Sequence, residues 1–406
     1  MTKTPLAERT RIVFAGLRNS GKSSLLNHLF EKEVAIVSDT PGTTTDPVTR
    51  PFELTGFGPV AFTDTAGLGD EGEIGRLRME QSQTRISEAD ILVLVTRDDT
   101  PLTSIEMDLI KRAGKTPAIA ARTFDSGNKT KCQELERLGI NSCPVENLQK
   151  KGREELIALI REICQRGSVE PTPLEGLVNE GDFLLLVTPI DLAAPKGRLI
   201  LPQVETIRDA LDRDCSALIV KERELRGIYK RLGTRPELVV TDSQAFHTVA
   251  ADIYADTKLT SFSILFARKK GDLSAYIRGL ERMLNQKGRH RVLVLEACSH
   301  HRQADDIGTV KIPRLYRELV SPETDFVFSR ELPPEEELKG LTLVISCGGC
   351  MVHRKAVLRR LELLGERDIP VMNYGLFLAW AHGLLPRALE PFPLEYGLYN
   401  SLFNPV

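Results

Sequence analysis

Apolar runs of strand length alternate with helical stretches along almost the whole chain. Runs at 11–15, 60–62, 91–95 and 118–121 occupy the first part, with a helical stretch at 22–30. Further runs follow at 183–187, 217–220, 238–240 and 262–267, with helical patterns at 204–211, 225–232 and 273–284 between and after them. The last part has runs at 292–295, 341–345 and 369–372 and a helical pattern at 352–364. Continuous apolar strands separated by helices predict an α/β fold, here three domains with mainly parallel sheets. A Gly-Ser-Val-Glu-Pro-Thr-Pro stretch at 167–173 reads as a linker, and the polar 285–290 as a second one. The boundaries drawn from the sequence are 1–170, 178–272 and 273–406. There is no short-period repeat and no low-complexity tract.

Composition narrows the class without naming a function. The 406 residues are 41% hydrophobic and 27% charged, which is ordinary globular usage with enough length for several cores. A net charge of −2 gives no global attraction to nucleic acid or to an anionic membrane, so neither is expected as a partner. The start Met1-Thr2-Lys3-Thr4-Pro5 lacks the apolar core of a signal peptide, and no apolar run is long enough to cross a bilayer, so a cytoplasmic location is expected. Seven cysteines in such a chain argue against a disulfide framework and leave metal binding or simple burial.

The first candidate site is Gly16-Leu17-Arg18-Asn19-Ser20-Gly21-Lys22-Ser23, lying between a strand and a helix. Glycines let the backbone wrap phosphates, Ser20, Gly21 and Ser24 line the turn into the helix, Lys22 reaches the terminal phosphates, and the Ser23 hydroxyl can bind Mg2+. Downstream, Asp64-Thr65-Ala66-Gly67 places a carboxylate at a strand end for Mg2+ through water, then a glycine N–H for the terminal phosphate. Between them Pro41-Gly42-Thr43-Thr44-Thr45-Asp46 offers Thr44 as a second hydroxyl for Mg2+. These motifs together resemble the translation-factor branch of P-loop GTPases, a Ras-like fold, and particularly its tRNA-modification and ribosome-assembly members. Leu68 stands where Ras-like enzymes carry a water-orienting glutamine. In that branch the loop asparagine, here Asn19, is associated with K+, which supplies positive charge near the phosphates. The resemblance implies a catalytic set of Lys22, Asn19 and Gly67 and a GTP hydrolase that is slow and stimulated by K+.

One part departs from that pattern. After 118–121, where the family writes N-K-x-D, this chain has Arg122-Thr123-Phe124-Asp125. Asp125 remains as an acceptor for guanine, but the asparagine and lysine are missing, and the later S-A-K-like segment is Asn141-Ser142-Cys143. A missing amide partner costs about 1–3 kcal/mol, so GTP and GDP are expected to be discriminated more weakly than usual.

The second candidate site is Cys298-x-His300 with Cys347-Gly348-Gly349-Cys350. Both sets follow apolar runs and should emerge at carboxyl ends of strands, where α/β sheets place ligands. Cys350 should open the helix at 352–364 and gain from its dipole, and the glycine pair allows a tight turn. Three thiolates suit a 4Fe-4S cluster with one replaceable ligand; with His300 as fourth ligand they suit zinc equally well. A lone C-x-x-C is also compatible with a redox dithiol. Cys132, Cys143, Cys164 and Cys215 show no paired spacing and read as packing residues.

Taken whole, the chain resembles the HydF family of FeFe-hydrogenase maturation GTPases. The GTPase motifs match at 1–170, the segment 190–203 resembles the start of the family's dimerisation domain within 178–272, and the C-x-H and C-x-x-C set matches its iron-sulfur domain within 273–406. Ser346 stands where the family usually has histidine. The resemblance implies a GTPase and 4Fe-4S scaffold or carrier that receives a diiron precursor from radical SAM maturases and passes it to apo FeFe-hydrogenase, as a homodimer. The alternative is a translation-factor-type GTPase for RNA modification or ribosome assembly with a structural zinc.

Overall fold

The computed structural model describes residues 4–30, 48–65, 67–68, 82–124, 129–166, 170–189, 199–296 and 306–404. The chain divides into two compact units, Met1–Val169 and Glu170–Val406.

The first unit is built on β1 (Thr10–Ala15), β2 (Val48–Leu54), β3 (Gly58–Asp64), β4 (Ile91–Arg97), β5 (Ala118–Thr123) and β6 (Asn141–Val145). They form one sheet in the order β2-β3-β1-β4-β5-β6, parallel except for the antiparallel β2–β3 pair. Side chains alternate across the sheet, so each central strand feeds two cores. Ile12 and Phe14 pack with Leu25, Leu29, Leu156 and Ile160 on one face, while Val13 and Ala15 pack with Leu92, Leu109 and Leu135 on the other. Both faces are thereby covered by helices, which is why β1 and β4 read as unbroken apolar runs.

The second unit holds two four-stranded parallel sheets. One contains β7 (Phe183–Val187), β8 (Ser216–Val220), β9 (Leu238–Thr241) and β10 (Leu259–Ser261), in the order β10-β9-β7-β8. The other contains β11 (Arg291–Leu295), β12 (Asp325–Ser329), β13 (Leu343–Ser346) and β14 (Val371–Asn373), in the order β12-β11-β13-β14. A single hydrophobic cluster runs through both, joining Leu185 and Val239 to Leu293 and Val344. The α/β expectation of three sheet-containing domains with mainly parallel strands holds. Of the segment 190–203, residues 190–198 lie outside the described residues; Leu201 opens the helix Leu201–Asp212.

Two local expectations are corrected. The run 262–267, read as a strand, lies in the helix Phe262–Lys270; the strand is the shorter β10 just before it. Ser261 starts that helix, its hydroxyl accepting from the Ile264 N–H at 3.2 Å. Phe262, Ile264, Leu265, Phe266 and Ala267 are all buried, so the helix has no polar stripe and its period is invisible. The helix expected at 352–364 begins only at Arg354, with His353 at its N-cap.

Candidate functional site

At the carboxyl end of β1 the chain turns through 16–21 into the helix Lys22–Phe30. A Cβ on Gly16 would lie 2.1 Å from the Val95 carbonyl oxygen, so no other residue fits against β4 there. Asn19 adopts φ +59° and Gly21 φ +88°, left-handed values that asparagine and glycine tolerate best. Lys22 is buried within this loop, its Nζ donating to the carbonyls of Gly16 at 3.0 Å and Leu17 at 2.8 Å. Asn19 is exposed at the loop's outer side, Ser20 is buried, and Ser23 and Ser24 are half-buried in the helix's first turn.

Asp64 stands at the end of β3, level with Phe14 of β1. Its Oδ2 accepts from Ser23 Oγ at 3.2 Å, while its buried Oδ1 has no hydrogen-bond partner among the described residues. Burial pushes this carboxyl above the usual carboxylate range; Lys22, the Ser23 hydrogen bond and Arg50 pull the other way. A hydroxyl beside a carboxylate with an unsatisfied oxygen is a donor set that suits Mg2+, so the residues fit the ion their motifs imply.

The stretch after Asp64 is laced to the loop. Leu68 N–H donates to Gly16 O at 3.2 Å and Arg18 N–H donates to Leu68 O at 3.0 Å. A Cβ on Gly67 would meet Arg18 Cα at 3.0 Å, a tight contact that the loop would have to give way to by a few tenths of an ångström. Leu68 itself is buried in the core with Val13 and Ala15, where its side chain has no access to an attacking water. Thr44 and Asp125 lie outside the described residues.

The base-recognition side shows contacts that the sequence did not reveal. Arg122 is committed to a buried ion pair, its Nη1 2.7 Å from Asp98 Oδ1. The Thr123 hydroxyl donates to Ser20 O at 2.6 Å, and Thr96 O lies 3.2 Å away; a single proton serves the shorter contact first. The segment 141–143, read as S-A-K-like, is instead inside β6. The loop after that strand makes the contact: Asn147 Nδ2 donates to Gly21 O at 3.2 Å. Both contacts join residues more than a hundred positions apart, beyond the reach of any local spacing pattern.

In the second unit β11 and β13 are hydrogen-bonded neighbours with Leu295 opposite Ser346. The Cys347 N–H donates to Leu295 O at 2.9 Å, so Cys347 leaves the sheet beside the end of β11. Cys298 follows that end by three positions in sequence and, with His300, lies outside the described residues. Gly349 adopts φ +63°, and Val352 N–H donates to Gly349 O at 2.8 Å, closing a turn that contains Cys350. Cys350 thus precedes the helix start at Arg354 by a full turn, and the expected dipole stabilisation, which fades within one turn, does not apply to it as drawn. Cys347 and Cys350 are both half-buried thiols. Among the described residues no three His, Cys, Asp or Glu side chains gather as a metal site. The two thiols on show are of the soft donor type that suits iron-sulfur or zinc. Burial pushes the Cys143 thiol up to about 11 and Cys164 up to about 12, so both are inert packing groups.

Together, the sheet order, glycine-rich loop and Ser23–Asp64 pair define a P-loop nucleotide-binding domain of the GTPase class. A model of the 50S ribosome-binding GTPase family matches residues 11–123. The chain is similar to the tRNA modification GTPase MnmE of Nitratidesulfovibrio vulgaris, 34% identical over 168 residues, covering 39% of this chain and 35% of that protein. The MnmE of Novosphingobium aromaticivorans is 39% identical over 133 residues, covering 32% and 28%. The chain therefore spans only about a third of the length of these curated relatives. Among solved structures, Era of Aquifex aeolicus is 15% identical with a TM-score of 0.36, covering 59% of this chain and 97% of that one. The G domain of the FeoB iron transporter of T. maritima is 23% identical with a TM-score of 0.31, covering 39% and 100%. The first domain is thus a GTPase domain of the type that the 50S ribosome-binding GTPase model describes. The rest of the chain carries domains of two further types: the hydrogen maturase F dimerization domain matches residues 174–271, and its tetramerization domain matches 274–391. No helix among the described residues is long and apolar enough to cross a membrane.

Proposed function

We propose that this chain is a GTP-hydrolysing scaffold or carrier of the hydrogen maturase F type, which holds a 4Fe-4S cluster and handles the diiron precursor destined for apo FeFe-hydrogenase. The observation that carries this reading is that both domains beyond the GTPase match hydrogen maturase F models, over 174–271 and 274–391. The division 1–170, 178–272 and 273–406 belongs to the same proposal, as do a homodimer and contacts with radical SAM maturases.

In the GTPase domain, Lys22 and the N–H groups around Ser20, Gly21 and Ser24 would bind the phosphates, and Ser23 and Thr44, with Asp64, would hold Mg2+. Gly67 N–H follows the terminal phosphate, and Asp125 accepts from guanine. The buried Leu68 takes no part in orienting water, so charge near the phosphates comes from Lys22 and from K+ recruited by Asn19, giving slow, K+-stimulated hydrolysis. In the last domain Cys298, Cys347 and Cys350 would hold the cluster, and His300 is a candidate for its fourth ligand. A cluster so held supplies one exchangeable coordination site.

The curated likeness to tRNA modification GTPases and the 50S ribosome-binding model favour a second reading, a GTPase of RNA modification or ribosome assembly with zinc on the same thiols. Anaerobic reconstitution separates the two. About four irons and four sulfides, with an EPR signal lost in the Cys298→Ala, Cys347→Ala, Cys350→Ala variant, are expected for the scaffold. Stoichiometric zinc without a reconstitutable cluster, together with RNA co-purification that falls steeply with salt, would establish the second reading instead.

A further inference from the structure

We propose that Phe124 is a stacking surface for the purine base of the bound nucleotide, and that stacking, more than hydrogen-bond readout, fixes the base in this chain. The inference rests on the GTPase reading and adds the base contact to it. Thr123, the last residue of β5, is held against the phosphate loop by its 2.6 Å bond to Ser20 O, so Phe124 is one peptide removed from that loop. It stands beyond the carboxyl end of a parallel strand, where this architecture seats ligands.

Its backbone is at φ +56°, a conformation that is a genuine outlier for a bulky side chain and that concentrates at functional sites. The residue is 49% exposed. An exposed phenylalanine alone would mean little. Here, however, one ring face is backed by the Arg97 guanidinium, 4.4 Å from the centroid, and Arg97 is itself fixed by Asp99 at 2.6 and 3.0 Å. No second ring or cation covers Phe124 among the described residues. The neighbouring Arg122 is engaged through Nη1 in its ion pair with Asp98. A cation-backed, half-exposed ring is a platform for any purine, because every base has a π-face.

Calorimetric binding of GTP, ITP, ATP and inorganic tripolyphosphate to the full chain tests this, using wild type, Phe124→Leu and Phe124→Tyr. The leucine variant should weaken the three nucleotides by a similar factor, about fivefold to a hundredfold, while tripolyphosphate is unchanged and tyrosine restores binding. Equal weakening of tripolyphosphate would make Phe124 a structural residue and overturn the proposal, as would unchanged nucleotide affinity. Wild-type protein that binds tripolyphosphate but no nucleotide would refute a base site altogether, and wild type that binds neither would remove the GTPase reading on which the proposal stands.

Discussion

Replacing Thr123 with valine removes one hydroxyl from a buried position and changes almost nothing else in shape. Thr123 and Ser20 are each 1% exposed, so water cannot take over as donor to Ser20 O. A hydrogen bond of this kind contributes about 0.5–1.5 kcal/mol net, and a buried acceptor left without its donor costs about 1–3 kcal/mol. Only one proton is lost, so the contacts to Ser20 O and Thr96 O count once. The destabilisation expected in urea unfolding is therefore about 1–3 kcal/mol. Because the lost bond holds the phosphate loop itself, GTP affinity should fall with stability, by about threefold to tenfold. Thr123→Ser keeps the donor and should bind GTP nearly as wild type does. If the valine variant is destabilised but binds GTP and tripolyphosphate normally, the bond supports the strand and not the loop, and the bracing argument fails.

Three further outcomes follow from the same contacts. Asp64 is pushed above the usual carboxylate range, so the folded protein keeps a proton there that the unfolded chain has released; this contribution lowers stability as pH rises from that range through the raised value. Mg2+ requires the ionised form, so stabilisation by Mg2+ in thermal unfolding should grow across the same window and lose its pH dependence in Asp64→Asn. Arg122→Asn restores one letter of the family's base motif but removes the guanidinium facing Asp98, which is fully buried; unfolding should show a loss of about 3–5 kcal/mol and GTP-over-ATP preference should not improve. Exchanging K+ for Na+ should slow GTP hydrolysis in wild type and have little effect in Asn19→Ala; equal rates in both salts would remove Asn19 from the catalytic set.

Strands buried on both faces were the most legible elements, because a continuous apolar run of strand length between helices has few other fates. β1, β4, β7 and β11 all read this way. β2 and β12 escaped notice for the opposite reason: β12, at the edge of its sheet, is Asp-Phe-Val-Phe-Ser with no fully buried residue, and β2 carries a proline on the antiparallel edge of its sheet. The helix Phe262–Lys270 reads as a strand in the sequence because its near-complete burial erases the polar stripe that gives a helix its period. The helix starts at 354, two residues later than its apolar pattern suggests, because the Gly348-Gly349 turn occupies that stretch of chain.

The site divides along the same physical line. The residues that handle phosphate lie within short motifs, because one loop and one strand end suffice to build that chemistry. The base side is assembled from separate strands, and its working contacts, Thr123 to Ser20, Asn147 to Gly21 and Arg122 to Asp98, carry no motif of their own. This separation bears on function. The hydrogen bonds that link Leu68 to Gly16 and Arg18 do not pass through 122–124, so the coupling between phosphate loop and the stretch after Asp64 survives a degraded base reader. On the proposed GTPase reading, a terminal-phosphate signal carried by these bonds would depend on which phosphates are bound and only secondarily on which base carries them.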